Sequence, residues 1–410
     1  MILTAPILLT MRRGAPPVTD GAIVVLHDRI INAGPAEKIL RQYRGHRVRS
    51  FENAVLMPGL VNVHTHLELP ALLKEIRSST LPGWVLNLIE AKKRLQPVDY
   101  RTATAENIKT LLRTGTTALG EICTHGASPA LLKQSGLRAV IYHEIISMDP
   151  RLPGPVPPAG LARGRWVKTA LLRPGISPHA PHTVSGPVLR QITAAARKKG
   201  LPLAMHVAES LDEVRLLQGK ASGFSRLYEA AGWDPNWAPS APSPIAYLAL
   251  VGILGPRLLA VHAVHADARD RMLLKKALVP VAHCPRSNNE TGVGTMPLKL
   301  FLDAGITVGL GTDSLASSPS LSLWDEMRSA LALHRNTGVT SHHLLLLAST
   351  GGAKALGMGS DIGSIEAGKK ADIIAIRLPV KNTNDIYSDL LRETESGIMT
   401  MVNGKILYQA

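Results

Sequence analysis

The stretch Pro58-Gly59-Leu60-Val61-Asn62-Val63-His64-Thr65-His66-Leu67-Glu68 decides how the chain folds. It continues an apolar run that starts at Ala54, and together they predict a buried strand over Val55–Val63. Successive side chains of a strand point to opposite faces, so His64 and His66 should project the same way. Neutral imidazole is the commonest protein ligand for metal ions. The stretch therefore predicts half of a metal site at a strand end, although two loop histidines would fit the same pattern.

Short apolar runs alternate with helical segments from about residue 55 to about residue 358. Parallel strands that are each followed by a helix close into a (β/α)₈ barrel. The sequence therefore predicts an α/β fold with a TIM-like barrel. Its strands are predicted at Val55–Val63, Thr116–Ile122, Arg138–Ile145, Thr169–Ile176, Pro202–Val207, Leu258–Val264, Val279–His283 and Ile306–Leu310.

Both ends of the chain have the composition of strands and turns. Residues 1–55 and 359–410 are rich in Ile, Val and Leu with Gly and Pro between, and no helical period stands out in residues 1–55. Two such parts on either side of a barrel most simply pair with each other. We predict one small β-sandwich from residues 1–55 and 359–410, beside a hydrolase barrel of residues 56–358.

Length and charge limit the class of protein. A chain of 410 residues exceeds the usual limit for one core, so one large domain and a smaller one are expected. The net charge of +15 raises the question of nucleic acid. However, the basic residues are scattered and aromatic residues make up only 4%, too few for base stacking. We predict no nucleic-acid partner; a basic proteome or a preference for anionic small molecules accounts for the charge.

Two distant cysteines, Cys123 and Cys284, do not form a disulfide framework and favour a reducing compartment. The N-terminus lacks a basic segment before its apolar run, and no apolar run reaches about 18 residues. A cytoplasmic protein without a membrane partner is expected. The expected partner is a small-molecule substrate, and a homo-oligomer stays open.

Almost every predicted strand ends in a histidine or a carboxylate. Functional groups of such barrels sit at the carboxyl ends of the strands. Any one of these histidines could be a core residue with satisfied hydrogen bonds, but their joint placement on one rim predicts a metal-dependent active site. In strand order they are His64 and His66, His179 and His182, His206 and Glu209, His262 and His265, His283, and Asp313 with Ser314.

These motifs resemble the amidohydrolase superfamily, in its branch of nucleoside and base deaminases and related chlorohydrolases. The resemblance covers nearly the whole chain, and it includes the return to strands at the C-terminal end. It is carried by Pro58-Gly59-Leu60-Val61-Asn62-Val63-His64-Thr65-His66, His206-Val207-Ala208-Glu209, His283-Cys284-Pro285-Arg286-Ser287-Asn288, Gly311-Thr312-Asp313-Ser314 and the segment 363–372.

The resemblance implies a metal centre made by His64, His66, His206 and Asp313. Three imidazoles and one carboxylate leave a place for water, which suits Zn²⁺ first and Fe²⁺ as the alternative. Binuclear relatives add a carboxylated lysine at the end of strand four. Residues 170–176 of this chain contain no lysine, so a single divalent ion is expected.

The resemblance also assigns catalytic roles. Glu209 would protonate a ring nitrogen of the heterocycle, and His262 with Asp313 would take the proton of the attacking water. His265 is the weaker alternative to His262, and a structural role is favoured for it. The implied reaction is hydrolytic deamination at C6 of an adenine nucleoside with release of ammonia.

Substrate contacts are expected from His179, Trp84, Glu209 and Ser314, although Trp84 could instead be a core residue and His179 a structural loop residue. Candidate substrates are aminodeoxyfutalosine, methylthioadenosine and S-adenosylhomocysteine, and the tract 311–323 most resembles the aminodeoxyfutalosine deaminases of menaquinone biosynthesis. Glu90 could bind ribose hydroxyls or face solvent. Three arginines around a Pro-rich loop, Arg151, Arg163 and Arg165, could meet a substrate carboxylate.

Two other classes of function stay open. One is another C–N or C–Cl hydrolase on the same scaffold, such as a guanine or cytosine deaminase or a chloro-s-triazine hydrolase. Retention of Glu209 argues against dechlorination. The other is a catalytically silent binding protein, against which the complete ligand set argues.

Overall fold

The structure, a computed structural model, describes residues 1–149, 167–377 and 385–410. Its strands are β1 Ile2–Leu8, β2 Val18–Leu26, β3 Arg29–Pro35, β4 Val48–Ser50, β5 Ala54–Pro58, β6 Leu60–Thr65, β7 Thr116–Cys123, β8 Arg138–Ile145, β9 Leu172–Pro178, β10 Leu203–Val207, β11 Leu258–His262, β12 Val281–His283, β13 Val308–Leu310, β14 Ile373–Arg377, β15 Gly397–Val402 and β16 Lys405–Gln409. The α-helices of the described residues span Ala36–Gln42, Leu81–Lys92, Pro97–Arg113, Ser128–Ser135, Gly186–Lys199, Leu211–Leu217, Ser225–Ala231, Pro244–Val251, Ala268–Lys276, Pro285–Glu290, Leu298–Asp303, Leu323–Leu333, Ser341–Leu346, Gly352–Ala355 and Ile386–Glu393.

Strands β6 to β13 form a parallel sheet in which neighbours in sequence are neighbours in space. Its two edges meet where the Asp313 main-chain N–H donates to the His64 carbonyl at 3.0 Å. The Asn62 side chain strengthens this closure through Thr312, with hydrogen bonds of 2.8 and 3.1 Å. A Cβ at Gly311 would lie 2.9 Å from the His64 Cβ, so only glycine permits this approach. The predicted barrel is confirmed.

The single strand predicted over Val55–Val63 is wrong. The structure has two strands there, β5 and β6, in different sheets. The change of sheet falls at Gly59, where a Cβ would lie 2.1 Å from the Thr117 side chain. Both strands are buried on both faces, so the apolar run continues through the break and does not show it.

The chain ends share one sheet, as predicted. Strand β5 pairs in parallel with β1 and antiparallel with β14, which places the C-terminal strands beside the N-terminal ones. The order of this eight-stranded sheet is β16-β15-β14-β5-β1-β2-β3, with β4 against β1. The segment boundaries near residues 55 and 358 stay predictions. Among the described residues no helix is long and apolar enough to cross a membrane.

A buried ion pair joins this sheet to the barrel. Arg138, the first residue of β8, donates from Nε and Nη2 to the two carboxylate oxygens of Asp372 at 2.8 and 2.9 Å. The side chains are 6% and 1% exposed, respectively. The main-chain N–H of Asn403 donates to the same carboxylate at 2.8 Å. The pair therefore fixes the end of the small sheet against the barrel wall.

Asp372→Ala should lower the free energy of unfolding by about 3 kcal/mol, because it leaves the Arg138 cation buried without a partner. Urea denaturation of the purified protein measures the difference. Asp28→Ala is the matched control, since its pair with Lys370 is partly exposed and should contribute at most about 1 kcal/mol. Equal losses for the two variants would show that the buried pair does not stabilise the domain contact.

Candidate active site

Four residues predicted as metal ligands lie together on the barrel rim. His64 belongs to β6, His66 follows it, His206 belongs to β10, and Asp313 follows β13. The Asp313 Oδ1 atom lies 3.5 Å from His64 Nε2 and 3.4 Å from His66 Nε2. Side-chain donors of His64, His66 and His206 lie within 4.8 Å of one another. The barrel thus gathers three imidazoles and one carboxylate from three separate strands.

Hydrogen bonds on the outer side of the cluster turn its free atoms inward. His206 Nδ1 donates to the His179 carbonyl at 2.9 Å, which leaves Nε2 free. Asp313 Oδ2 accepts from the Ser287 and Ser317 hydroxyls at 2.6 and 3.0 Å, which leaves Oδ1 facing the histidines. Neither ring nitrogen of His64 has a hydrogen-bond partner within the described part of the chain. Buried polar atoms without partners are costly, so this donor set fits a divalent cation.

Burial keeps the imidazoles of the cluster neutral. It lowers the pKa of His66 to about 3 and the pKa of His206 to about 4. The pKa of His64, which is fully buried, is also lowered, and burial is again the largest cause. A metal ion is bound by neutral imidazole. The cluster is therefore in its ligating form near neutral pH.

Backbone strain concentrates at this rim. His262 and Asp313 have φ angles of 71° and 58°, and Ala208 and Ala263 have φ angles of 50° and 48°. Residues other than glycine rarely adopt this left-handed region, at a cost of roughly 1–3 kcal/mol each. Here the strained residues carry or adjoin the polar groups of the site. The strain is typical of a functional centre that the surrounding barrel holds in place.

A carboxyl and an imidazole face each other beside the cluster. His262 Nε2 lies 3.6 Å from Glu209 Oε1, and His262 Nδ1 donates to Asn288 Oδ1 at 2.8 Å. The Glu213 carboxylate accepts the main-chain N–H groups of Ala208 and Glu209 at 3.1 and 2.9 Å, which fixes the turn after β10. Burial raises the pKa of Glu209 to about 7 and lowers the pKa of His262 to about 4. Glu209 can therefore carry a proton near neutral pH and donate it.

Comparison with known proteins decides the family. The model of the amidohydrolase family matches residues 55–407. The chain belongs to the amidohydrolase family. The prediction from the sequence motifs is confirmed.

Several relatives of this amidohydrolase are deaminases by name. A 5-methylthioadenosine/S-adenosylhomocysteine deaminase of Syntrophobacter fumaroxidans is 30% identical over 405 residues, covering 95% of this chain and 87% of the relative. A zinc-bound adenosine deaminase structure from Xanthomonas campestris has a TM-score of 0.85 at 26% identity, over 99% of this chain and 92% of its own. Helicobacter pylori aminofutalosine deaminase shares the fold, with a TM-score of 0.88 at 24% identity over 99% of each chain.

A cavity of about 290 Å³ opens onto the cluster of candidate metal ligands, which consists of His64, His66, His206 and Asp313. Trp84, His179 and Ser314, the residues predicted to contact substrate, all line it. His179 is held by a 2.8 Å hydrogen bond between its Nδ1 and the Thr183 hydroxyl. The remaining wall is mostly apolar and consists of Leu69, Leu81, Val85, Leu88, Ile89, Ile146, Ala180, Phe224, Leu227, Ala231 and Trp233, with polar groups from His66, Lys92, Thr124, Glu144, His182, Thr183, His206, Glu209, His262 and Asp313.

Two other sequence candidates are not part of this wall. His265 Nε2 donates a hydrogen bond to the Val293 carbonyl at 2.8 Å, which agrees with the structural role favoured for His265. Glu90 is exposed and accepts from Lys93 Nζ at 2.6 Å, so it faces solvent. The arginines considered as partners of a substrate carboxylate, Arg151, Arg163 and Arg165, lie outside the described residues.

Sequence reasoning missed the residues that position the site. Ser287 and Ser317 hold Asp313, Asn288 holds His262, and Glu213 holds the turn that carries Glu209. Ser287 and Asn288 belong to the motif that starts at His283, but the motif by itself gives no role to either side chain. Glu213 has a signal of its own, because it is an acidic residue in the first turn of the helix after β10. A buried serine or asparagine has no comparable sequence signal.

Proposed function

We propose that this amidohydrolase is a hydrolytic deaminase that replaces the amino group at C6 of an adenine nucleoside by oxygen and releases ammonia. The observation that carries the proposal is the Glu209 carboxyl, which is only 14% exposed, faces His262 and lines the cavity beside the cluster of His64, His66, His206 and Asp313. A proton donor next to such a cluster suits attack of water on an amidine-like carbon. The names of the relatives support an adenine nucleoside as substrate.

The proposed cofactor is one divalent ion, held by His64, His66, His206 and Asp313. Zn²⁺ is favoured and Fe²⁺ is the alternative, because both suit imidazole and carboxylate ligands. The zinc in the Xanthomonas campestris adenosine deaminase structure supports this choice. Such an ion, when bound, lowers the pKa of a coordinated water towards neutrality.

The protein groups then divide the proton transfers between them. Glu209 donates a proton to N1 of the purine, which makes C6 more electrophilic. His262 and Asp313 accept the proton of the water that attacks C6, through Nε2 and Oδ1, the two atoms left free by Asn288 and the serines. The proton taken from the water then passes to the C6 amino group, which leaves as ammonia, and the remaining hydroxyl proton at C6 returns to Glu209, so that oxygen replaces nitrogen. Proton transfers of this kind are worth about 10²–10⁴-fold each.

Three further residues are proposed to bind the substrate. Trp84 offers an aromatic face to the purine, and His179 and Ser314 offer polar atoms in the same cavity. The 5′ extension of the substrate is proposed to be that of aminodeoxyfutalosine, methylthioadenosine or S-adenosylhomocysteine. A place in menaquinone biosynthesis follows only for the first of these.

Ammonia release tests the substrate class. We expect the purified, metal-loaded protein to deaminate adenosine, methylthioadenosine, S-adenosylhomocysteine or aminodeoxyfutalosine. A contact between the carboxylate of aminodeoxyfutalosine and one of the candidate arginines, Arg151, Arg163 or Arg165, would be worth about 1.5–3 kcal/mol. Aminodeoxyfutalosine should therefore exceed adenosine in kcat/KM by at least about tenfold. Equal values would remove the carboxylate argument but keep the deaminase.

Guanine, cytosine and a chloro-s-triazine are the comparison substrates for the same assay. Turnover of one of these, with none of the adenine nucleosides, would replace the proposed substrate class. Inertness toward the whole panel by a protein that binds metal would favour a silent binding protein instead.

A further inference from the structure

The cavity wall carries a cation that the proposed mechanism does not use. Lys92 ends the helix Leu81–Lys92 and lines the cavity, as the apolar residues Ile89 and Ile146 do. Its ammonium group makes no side-chain hydrogen bond and no ion pair within residues 1–149, 167–377 and 385–410. Burial lowers the pKa of Lys92, which reflects the cost of keeping this charge there. By contrast, the next residue, Lys93, is exposed and pairs with Glu90.

A carboxylate lies on the same wall. Glu144, near the end of β8, accepts from the Thr124 hydroxyl at 2.8 Å through Oε2, and no described residue donates to its Oε1. Lys92 and Glu144 attract each other electrostatically but do not come within 4.0 Å, the limit of an ion pair. Each group therefore keeps hydrogen-bonding capacity that faces the cavity.

Among the described residues, one other acid acts on Lys92, and its oxygens are already occupied by hydrogen bonds. Glu68 is the second carboxylate that acts on Lys92 electrostatically. Its two oxygens already accept main-chain N–H groups of Thr124, His125, Ala127 and Ser128. Glu68 thus organises the loop after β7. The Lys92 ammonium group can therefore donate hydrogen bonds to a ligand in the cavity.

We propose that Lys92 and Glu144 form a specificity subsite that binds two neighbouring hydroxyl groups of the substrate's sugar, Lys92 as donor and Glu144 as acceptor. The inference rests on the proposed function, which supplies a nucleoside. A neutral diol offers both a donor and an acceptor to the pair. A substrate carboxylate at this point would be attracted by Lys92 and repelled by Glu144, and a substrate ammonium would meet the reverse. The opposite charges therefore favour a diol over either ion.

The test compares adenosine, 2′-deoxyadenosine, 3′-deoxyadenosine and 2′,3′-dideoxyadenosine. Hydrogen bonds to charged groups are worth about 10–150-fold in binding, so the wild-type protein should prefer adenosine to the dideoxy compound by at least about tenfold in kcat/KM. Lys92→Met and Glu144→Gln should each lose about tenfold or more on adenosine, mainly through KM. Both should stay within about twofold of wild type on the dideoxy compound.

Lys93→Met is the matched control and should keep wild-type kinetics on every substrate. Lys92→Met should also keep or raise Tm, because it removes a partly buried charge without a partner; a structural lysine would lower Tm. Equal use of adenosine and dideoxyadenosine by the wild type would overturn the subsite while leaving the deaminase intact. So would a Lys92→Met loss confined to substrates with a 5′ carboxylate. Absence of ammonia from every adenine nucleoside would overturn the proposed function and the subsite together.

Discussion

Glu209→Gln should lower kcat by about 10²–10⁴-fold, or roughly 3–5 kcal/mol in the activation barrier, on whichever adenine nucleoside the wild type deaminates. The amide has the shape of the carboxyl group but cannot deliver a proton to N1. Glu209 is only 14% exposed and faces His262. Glu144 and Asp313 are the other carboxyls of the described cavity wall. Steady-state ammonia release measures the loss.

The same variant should keep its metal, because Glu209 is not among the proposed ligands. Glu229→Gln is the matched control, since Glu229 is an exposed residue on the nearby helix Ser225–Ala231 and should keep full activity. A fully active Glu209→Gln would show that Glu209 is not the proton donor and would favour the alternative of a chlorohydrolase. Loss of metal from Glu209→Gln would instead make Glu209 a ligand.

His206→Ala should lose both the metal and the activity. We expect about one tightly bound divalent ion per wild-type chain, with ligand distances of about 2.0–2.2 Å. His206 supplies one of the three clustered imidazoles, and its Nδ1 bond to His179 fixes the ring. Removal of one of four ligands should reduce the metal content to near zero after dialysis. Elemental analysis measures the content.

His343→Ala is the control for that experiment, because His343 is exposed and far from the cavity wall. It should keep about one ion per chain. Two ions per wild-type chain would contradict the single-metal reading, which depends on the absence of a lysine from β9. Retention of the ion by His206→Ala would move the metal centre to the second donor group, His64, His262 and Asp313.

Much of the site could be predicted because each motif is local. The two-residue spacing of His64 and His66 places both on one face of a strand, and the structure puts their ring centroids 5.0 Å apart. Each of the other candidates on the barrel rim ends or follows an apolar run that is long enough to be a strand. The local sequence pattern was sufficient to predict that these residues lie together, because the strand ends of such a barrel share one rim.

The serines and the asparagine that position the site could not be predicted, because such residues have no sequence signal for the group that they contact after folding. Ser287 and Ser317 are 26 and 4 residues from Asp313 in sequence, yet both reach the same carboxylate oxygen. Lys92 and Lys93 are adjacent and chemically identical, and only the helix orientation turns one into the cavity and the other to solvent. No local pattern separates them.

The sequence by itself determined the barrel, the sheet shared by the chain ends and the residue types of the cluster of candidate metal ligands, because hydrophobic period and strand-end chemistry are local properties. Only the tertiary structure decided the change of sheet at Gly59, the closure between His64 and Asp313, and the free charges of Lys92 and Glu144. Those features depend on which atoms meet after the barrel closes. Contacts between residues as far apart as Asn62 and Thr312 are set by packing of the whole chain rather than by any single stretch.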